Sequence, residues 1–156
     1  MAVLAVAVLV ACSSQTDTSQ TGTSSGNGTA SAALTDADLV IPVADVTDDP
    51  TFYPVTVDGE SMEVLALRAA DGSVRTAFNT CQVCYDSGRG YYQWSGTALV
   101  CQNCGNQFAP DQVEVVSGGC NPVPIFDADV SDDGTNITIP LSYLQSAQEL
   151  FANWKQ

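Results

Sequence analysis

The sequence contains no histidine. Histidine is the usual nitrogen ligand for transition metals, and it is the base of Ser-His-Asp and Cys-His catalytic centres. Catalytic centres of the Ser-His-Asp and Cys-His kinds are therefore excluded. A metal site has to be built from thiolates, carboxylates or the backbone. We expect an electron carrier or a metal-binding protein rather than a catalyst.

Basic residues are scarce as well. Four Lys and Arg stand against eighteen Asp and Glu, which gives a formal net charge of -14. A field of this sign repels nucleic acid, so no nucleic-acid partner is expected. The same charge would attract cations and basic proteins, although solubility alone is a sufficient reason for it.

The chain has no apolar run of the roughly 20 residues that a membrane-spanning helix needs. Residues 2–11 read AVLAVAVLVA, which has the length of the apolar region of a signal peptide. This run ends in Leu9-Val10-Ala11-Cys12, which resembles a bacterial lipobox. The sequence therefore predicts a lipoprotein signal peptide over residues 1–11 and a lipid on Cys12, which would anchor the chain on the outer, extracytoplasmic face of the cell membrane.

Residues 12–32 are predicted to form a flexible linker after that lipidated cysteine. Ser, Thr and Gly dominate it, and it holds no large apolar residue whose burial could offset the entropy of ordering. An O-glycosylated stalk is the alternative. We expect the folded, cysteine-rich metal-binding domain to cover residues 33–156.

That domain is predicted to be mainly β. Residues 52–57, 62–67 and 73–78 are rich in β-branched and aromatic residues, and the hairpin signals Asp58-Gly59 and Asp71-Gly72 separate them. Three successive hairpin-linked strands make a β-meander that leads to Cys81. Further short strands are expected at residues 39–41 and 43–46, on either side of Pro42, and at residues 91–94, 97–100, 113–116 and 136–139.

The carboxyl-terminal residues predict a helix. Ser142 and Gln145 are spaced as in a capping box, with Ser142 as the N-cap. One helical face would carry Leu144, Ala147, Leu150, Phe151 and Trp154 and pack on the sheet. The fold class is thus mainly β (α+β): a small β-meander or sheet with two zinc-ribbon-like cysteine knuckles and a C-terminal helix.

The cysteines carry the most specific signal. Cys81 and Cys84 form one Cys-x-x-Cys pair, sixteen residues follow, and Cys101 and Cys104 form a second pair. This spacing matches a four-thiolate metal site. Zinc, a single iron ion and an iron–sulfur cluster all suit such ligands, and spacing does not separate them. Cys120 is a fifth candidate, as a replacement ligand, a resolving thiol or the partner of another cysteine.

Two other uses of these cysteines stay open. An exported protein meets an oxidising compartment, where disulfides form, yet five cysteines are an odd number and Cys-x-x-Cys rings constrain little. A structural zinc ribbon that binds a partner protein is one alternative function. A thiol–disulfide exchanger is another, although the first pair lacks the βαβ setting of such enzymes.

Several segments resemble the FtrD-like membrane iron–sulfur protein domain. They are RTAF at residues 75–78, Gly90-Tyr91, CQNCG at 101–105, GGCNP at 118–122 and the late ITIPLSYL. The resemblance implies an iron–sulfur centre with Cys81, Cys84, Cys101, Cys104 and Cys120 as site residues. It also implies a membrane iron-transport or redox protein as partner. Many members carry this domain after several transmembrane helices, whereas a lipid anchor is expected here.

Overall fold

A computed structural model describes residues 33–116 and 118–156 of the protein. The predicted signal peptide, the linker and Cys12 lie outside the described residues. Strands β3 (Thr51–Val57), β4 (Glu60–Arg68) and β5 (Val74–Cys81) pair antiparallel in sequence order, which confirms the predicted meander. Asp58 and Gly59 have φ values of 49° and 86°, as a two-residue hairpin turn requires.

Two more strands extend the meander at its edges. Strand β1 (Leu34–Thr35) runs parallel to β3, and β9 (Pro122–Ile125) runs antiparallel to β5, which gives a five-stranded sheet of order β1-β3-β4-β5-β9. Strand β9 contains two prolines, which sequence reasoning treats as strand breakers. They are tolerated because β9 is an edge strand, with β5 as its one neighbour among the described strands.

Strand β4 is buried on both faces, because this sheet is the middle layer of the fold. Met62, Val64 and Ala66 point into one hydrophobic core, and Leu65 and Leu67 point into a second core on the opposite face. The alternation of a strand explains the division, since successive side chains point to opposite faces. It also explains why β4 is apolar along most of its length.

The first core is covered by a small sheet and by the carboxyl-terminal helix. Strands β2 (Leu39–Pro42), β10 (Ser131–Asp132) and β11 (Asn136–Ile139) form a sheet of order β10-β11-β2. Their inward residues join the core with those of the helix. Phe78 of the central sheet packs against the rings of Tyr143 and Phe151.

The helix is shorter than expected, and its predicted N-cap is wrong. Helix α1 spans Leu141–Ser146, and a separate tight turn follows at Gln148–Phe151. Pro140 is the N-cap and offers no side-chain cap; instead the Asp38 carboxylate accepts a hydrogen bond from the Leu141 N–H at 2.8 Å. The predicted apolar face is confirmed, since Leu144, Ala147 and Phe151 are buried.

A third sheet covers the other face of the central sheet. Strands β6 (Tyr92–Trp94), β7 (Leu99–Cys101) and β8 (Gln107–Phe108) pair antiparallel, as expected for the hairpin between the cysteine pairs. Their buried residues form the second core together with Cys81, Cys84 and Cys101. Within the described ranges, no helix is long and apolar enough to cross a membrane.

The strand predicted at residues 43–46 is wrong, because Val43–Asp45 form a tight turn after β2. The strand predicted at residues 113–116 is wrong as well. A tight turn at Pro110–Gln112 leads into this segment, and the N–H groups of Val115 and Val116 bond back to the Gln112 carbonyl at 3.1 and 2.9 Å. These local bonds take the donors that a strand would offer to a neighbour. Of these four residues, Val113 alone is buried. The apolar residues of this segment therefore do not form the buried face of a strand, and Val113 alone anchors the segment to the core.

Candidate metal centre

Strand pairing brings the first and last cysteines of the cluster together. Strand β5 ends at Cys81, which pairs with Pro122 at the start of β9. Because the two strands are antiparallel, the end of one lies beside the beginning of the other. The N–H of Gln82 donates to the Asn121 carbonyl at 3.1 Å, so Cys120 is held beside the first cysteine pair.

Residues 90–92 join the two cysteine pairs. The Cys81 N–H donates to the Gly90 carbonyl at 2.6 Å, and the Gln102 N–H donates to the Tyr91 carbonyl at 2.9 Å. Tyr92 pairs with Cys101 in the hairpin. A single short segment thus contacts the backbone of both knuckles and fixes their separation.

Gly90 has no room for a side chain. A Cβ atom there would lie 2.7 Å from the Tyr85 backbone nitrogen and closer still to the carbonyl of Cys84. Ordinary contacts between heavy atoms are about 3.5–4.0 Å. The first knuckle can therefore pack on this segment only because residue 90 is glycine.

Asn79 fastens the hairpin to the central sheet, a role that sequence reasoning missed. The residue is 1% exposed, and its side chain accepts a hydrogen bond from the Tyr92 N–H at 2.7 Å. The same side chain donates to the Tyr92 carbonyl at 3.2 Å and to Glu63 at 2.6 Å. One signal was present in the sequence. Residues 77, 79 and 81 share one face of β5, so a polar side chain stands between two positions of the core.

Each Cys-x-x-Cys turn directs backbone amides at its own first sulfur. The N–H groups of Val83 and Cys84 face the Cys81 sulfur, and those of Asn103 and Cys104 face the Cys101 sulfur. Backbone amides that point at a thiolate stabilise its negative charge and tune the redox potential of a bound metal. The two knuckles expected from the sequence therefore have matching local structure.

The structure brings all five predicted site cysteines together. Cys81, Cys84 and Cys101 form one group in which the three sulfurs lie within 4.8 Å of one another, and Cys84, Cys104 and Cys120 form a second. All five are free thiols, and the Cys84 and Cys120 sulfurs are 3.8 Å apart. The first group is buried, whereas Cys104 is exposed and Cys120 half-buried, so the cluster has an inner and an outer side.

The thiols differ in acidity. Burial opposes ionisation of Cys81, but the Tyr92 hydroxyl and backbone amides outweigh it and lower its pKa. The Asn106 N–H, with neighbouring thiols, lowers the pKa of Cys104. Burial raises the pKa of Cys84, and it raises the pKa of Cys101 to about 12.

Cys120 is the other weak acid of the cluster. Its neighbours Cys104 and Cys84 raise its pKa to about 12. A metal ion has to displace protons from such thiols before it can bind them, which makes its affinity depend on pH.

The Tyr92 hydroxyl is a buried donor at the centre. The residue is 1% exposed, and within the described residues its oxygen meets no hydrogen-bond partner of good geometry. Burial first, and then the neighbouring Cys81 sulfur, raise its pKa. The phenol therefore stays protonated and offers its O–H to the sulfurs around it. Burying such a group without a partner costs free energy, so its position favours a negatively charged occupant or thiolate beside it.

A cavity lies away from the cysteines, on the other face of the central sheet. It measures about 310 Å³, and its lining includes Arg68, Glu114 and Asp127. Burial, followed by the charge of Asp127, raises the pKa of Glu114 to about 7. One carboxyl oxygen of Glu114 accepts hydrogen bonds from the backbone N–H and the hydroxyl of Thr76. The Glu114 side chain therefore connects its loop to β5.

The chemistry of the cysteine centre follows from its donors. Five sulfur atoms and no carboxylate or imidazole make up the two groups. Thiolates select soft or borderline metals, namely iron, zinc, copper(I) and iron–sulfur clusters, over magnesium and calcium. The arrangement is a metal-binding centre of the thiolate type.

Comparison with known proteins agrees with this chemistry. Residues 46–151, more than half of the chain, match the family model described as "Membrane iron-sulfur containing protein FtrD-like". The matched region contains both cysteine pairs and Cys120. No curated protein and no solved structure matches the chain.

Proposed function

The chain belongs to the family of FtrD-like membrane iron–sulfur proteins, and from that membership we propose that its cysteine centre holds iron. The iron would be bound as an iron–sulfur cluster or directly by the thiolates. The observation that carries the proposal is the convergence of five free thiols from three separate segments. The reactivity of free cysteines, including metal binding, rather than their packing usually decides where a protein keeps them.

The residues present fit iron in either form. Cys81, Cys84, Cys101, Cys104 and Cys120 would hold it. The knuckle amides and the unpartnered Tyr92 hydroxyl can donate hydrogen bonds to thiolate or inorganic sulfide. Bound iron supplies one-electron chemistry, and hydrogen bonds to the sulfurs and exclusion of water set its potential.

The protein would pass electrons, or iron itself, to a neighbouring membrane protein. The buried sulfurs of Cys81, Cys84 and Cys101 keep water from the inner side, while Cys104 is exposed and leaves the outer side open to a partner. An apolar side chain of the first Cys-x-x-Cys turn, Val83, is 60% exposed. Exposed apolar groups beside a reactive centre favour contact with another protein.

The partner we propose is a membrane iron-uptake or reductase system. A lipid on Cys12 would hold the protein on the outer face of the cell membrane, beside such a system. This part rests on the lipobox-like Leu9-Val10-Ala11-Cys12 and the polar linker that follows.

Anaerobic purification of the full chain tests the metal assignment. We expect a coloured protein containing iron, with acid-labile sulfide if a cluster is present, whose visible absorbance changes reversibly on reduction. A colourless protein with stoichiometric zinc would refute the redox function and favour a structural zinc module. Metal-free protein whose Cys-x-x-Cys thiols cycle to disulfides would instead favour thiol exchange.

Membrane attachment has its own test. Mass spectrometry of the protein from its native membrane should find diacylglycerol on Cys12, and Cys12→Ala should move the protein to the soluble fraction. An unmodified Cys12 in membrane-bound protein would refute the lipid anchor while leaving the metal assignment intact.

A further inference from the structure

The five sulfurs form two sets of three that share one member. Cys81, Cys84 and Cys101 make the inner set, and Cys84, Cys104 and Cys120 make the outer set. Cys84 belongs to both. A four-sulfur cage with a spare fifth thiol, which the spacing alone suggests, does not require this division.

Each set has the size of a site for one metal ion. Three sulfurs that each lie about 2.3 Å from a common ion are about 3.8–4.0 Å from one another. The sulfurs within each set all lie within 4.8 Å, and the Cys84–Cys120 separation is 3.8 Å. Small side-chain movements therefore suffice to seat an ion in either set.

We propose that the centre binds two thiophilic metal ions, an inner ion held by Cys81, Cys84 and Cys101 and an outer ion held by Cys84, Cys104 and Cys120, with the Cys84 thiolate bridging them. A thiolate sulfur can donate lone pairs to two ions at once. This inference rests on the proposed metal-binding function and specifies how many ions the centre takes and which thiolate joins them.

Charge balance supports two ions over one. Five thiolates carry a charge of about -5, and one divalent ion would leave about -3 in a largely buried cluster, whereas two would leave about -1. The chain has four basic residues to offset the remainder. Three of them bind acceptors elsewhere: Arg68 bonds the carbonyls of Val43 and Gly72, Arg75 pairs with Asp71, and Lys155 pairs with Glu63.

The two positions would differ in access. The inner set is entirely buried, while the outer set includes exposed Cys104 and half-buried Cys120. The inner ion would be shielded from chelators and the outer ion would exchange with solution. We therefore expect two ions of unequal lability in one centre.

Cadmium(II) is a suitable probe, because it is thiophilic, redox-inert and observable by NMR. The full chain, reduced and stripped of metal under anaerobic conditions, is titrated with ¹¹³Cd and weighed by native mass spectrometry. We expect two cadmium ions per chain and two ¹¹³Cd resonances split by mutual coupling through a shared sulfur. A single ion at saturation, or two uncoupled resonances, would overturn the proposal without relying on any variant.

Variants then assign the ligands. Cys120→Ala should lose the outer ion and Cys101→Ala the inner ion, so that each binds one cadmium, while Cys84→Ala should lose the coupling and at least one ion. Cys12→Ala is the matched control, since Cys12 is not one of the five proposed ligands, and it should still bind two. Retention of two coupled ions in Cys84→Ala would refute the shared thiolate, and their retention in Cys120→Ala would refute the outer ligand set.

Loss of the two-ion site can be told apart from loss of metal binding altogether. A chain that binds iron and changes absorbance on reduction, yet takes a single cadmium ion, keeps its function and loses the two-ion site. A chain whose two irons are bridged by inorganic sulfide alone and persist in Cys84→Ala keeps its function and loses the shared thiolate. A chain that binds no thiophilic ion loses both.

Discussion

Substitution of Gly90 by alanine should damage the metal centre without touching a cysteine. The new Cβ would lie 2.7 Å from the Tyr85 nitrogen and closer to the Cys84 carbonyl. Relief of that overlap requires the two segments to separate by about 1 Å, because ordinary contacts need about 3.5 Å or more. Both neighbours are backbone atoms, so no side-chain rotation can absorb the clash.

The separation would cost stability and metal affinity together. Overpacking of this kind costs about 1–3 kcal/mol. The same movement displaces the Cys84 sulfur and strains the 2.6 Å hydrogen bond from the Cys81 N–H to the Gly90 carbonyl. Loss of groups that orient metal ligands lowers affinity by about 10–100-fold.

Gly96→Ala is the control for this experiment. Gly96 also lies between the cysteine pairs and has a φ of 94°, but a Cβ there would meet no described atom within 4 Å. This substitution should cost about 1 kcal/mol of backbone strain and leave metal affinity unchanged. Urea unfolding and competition with a cadmium chelator measure the two quantities. Equal affinities in Gly90→Ala and Gly96→Ala would refute the reasoning.

Three further substitutions test the surroundings of the centre and the second cavity. Tyr92→Phe should stabilise the metal-free protein by about 1 kcal/mol, because it removes a buried hydroxyl that meets no hydrogen-bond partner of good geometry among the described residues. The gain should vanish in metal-loaded protein, where the hydroxyl faces thiolates. Equal effects in both states would contradict this role. Asn79→Ala should lower the free energy of unfolding by about 2 kcal/mol, because the buried Tyr92 N–H loses its acceptor, whereas exposed Asn153→Ala should change it by less than about 0.5 kcal/mol. Glu114→Gln should change the pH dependence of stability. Burial, and then the charge of Asp127, raise the pKa of Glu114 from 4.5 to about 7 in the folded protein. The folded state therefore binds this proton more tightly than the unfolded state, so the stability that it contributes is fully present below about pH 4.5 and is lost as the pH rises through 7. Urea titrations at several pH values should show that loss in the parent protein and not in the variant, and parallel profiles would exclude the assignment.

Much of the fold could be predicted because its signals are local. Asp58-Gly59 sets a tight hairpin by its backbone preference, and the strands on either side are rich in β-branched and apolar residues. The two Cys-x-x-Cys turns likewise fold from their own residues. These features depend on neighbours a few positions away, which a sequence shows directly.

Other predictions were wrong because the feature that each one concerns depends on a tertiary partner. Residues 113–116 alternate like a strand, yet no strand of the described ranges pairs with them, and the N–H groups of Val115 and Val116 turn back to Gln112. Residues 122–125 contain two prolines and still form a strand, because the edge of β5 is free to pair with them. The N-cap prediction at Ser142 missed that Asp38, far away in sequence, takes the capping role.

The sequence by itself determined which atoms the centre can use. With no histidine, a metal site had to use thiolates, carboxylates or the backbone, and the paired cysteines at Cys81, Cys84, Cys101 and Cys104 favoured thiolates. Spacing left the role of Cys120 open, and the tertiary structure places it beside the other four because antiparallel pairing of β5 and β9 brings distant residues side by side. The tertiary structure also decided that Cys84 lies in both sulfur sets, since distances between sulfurs from separate segments depend on how those segments pack and not on their spacing along the chain.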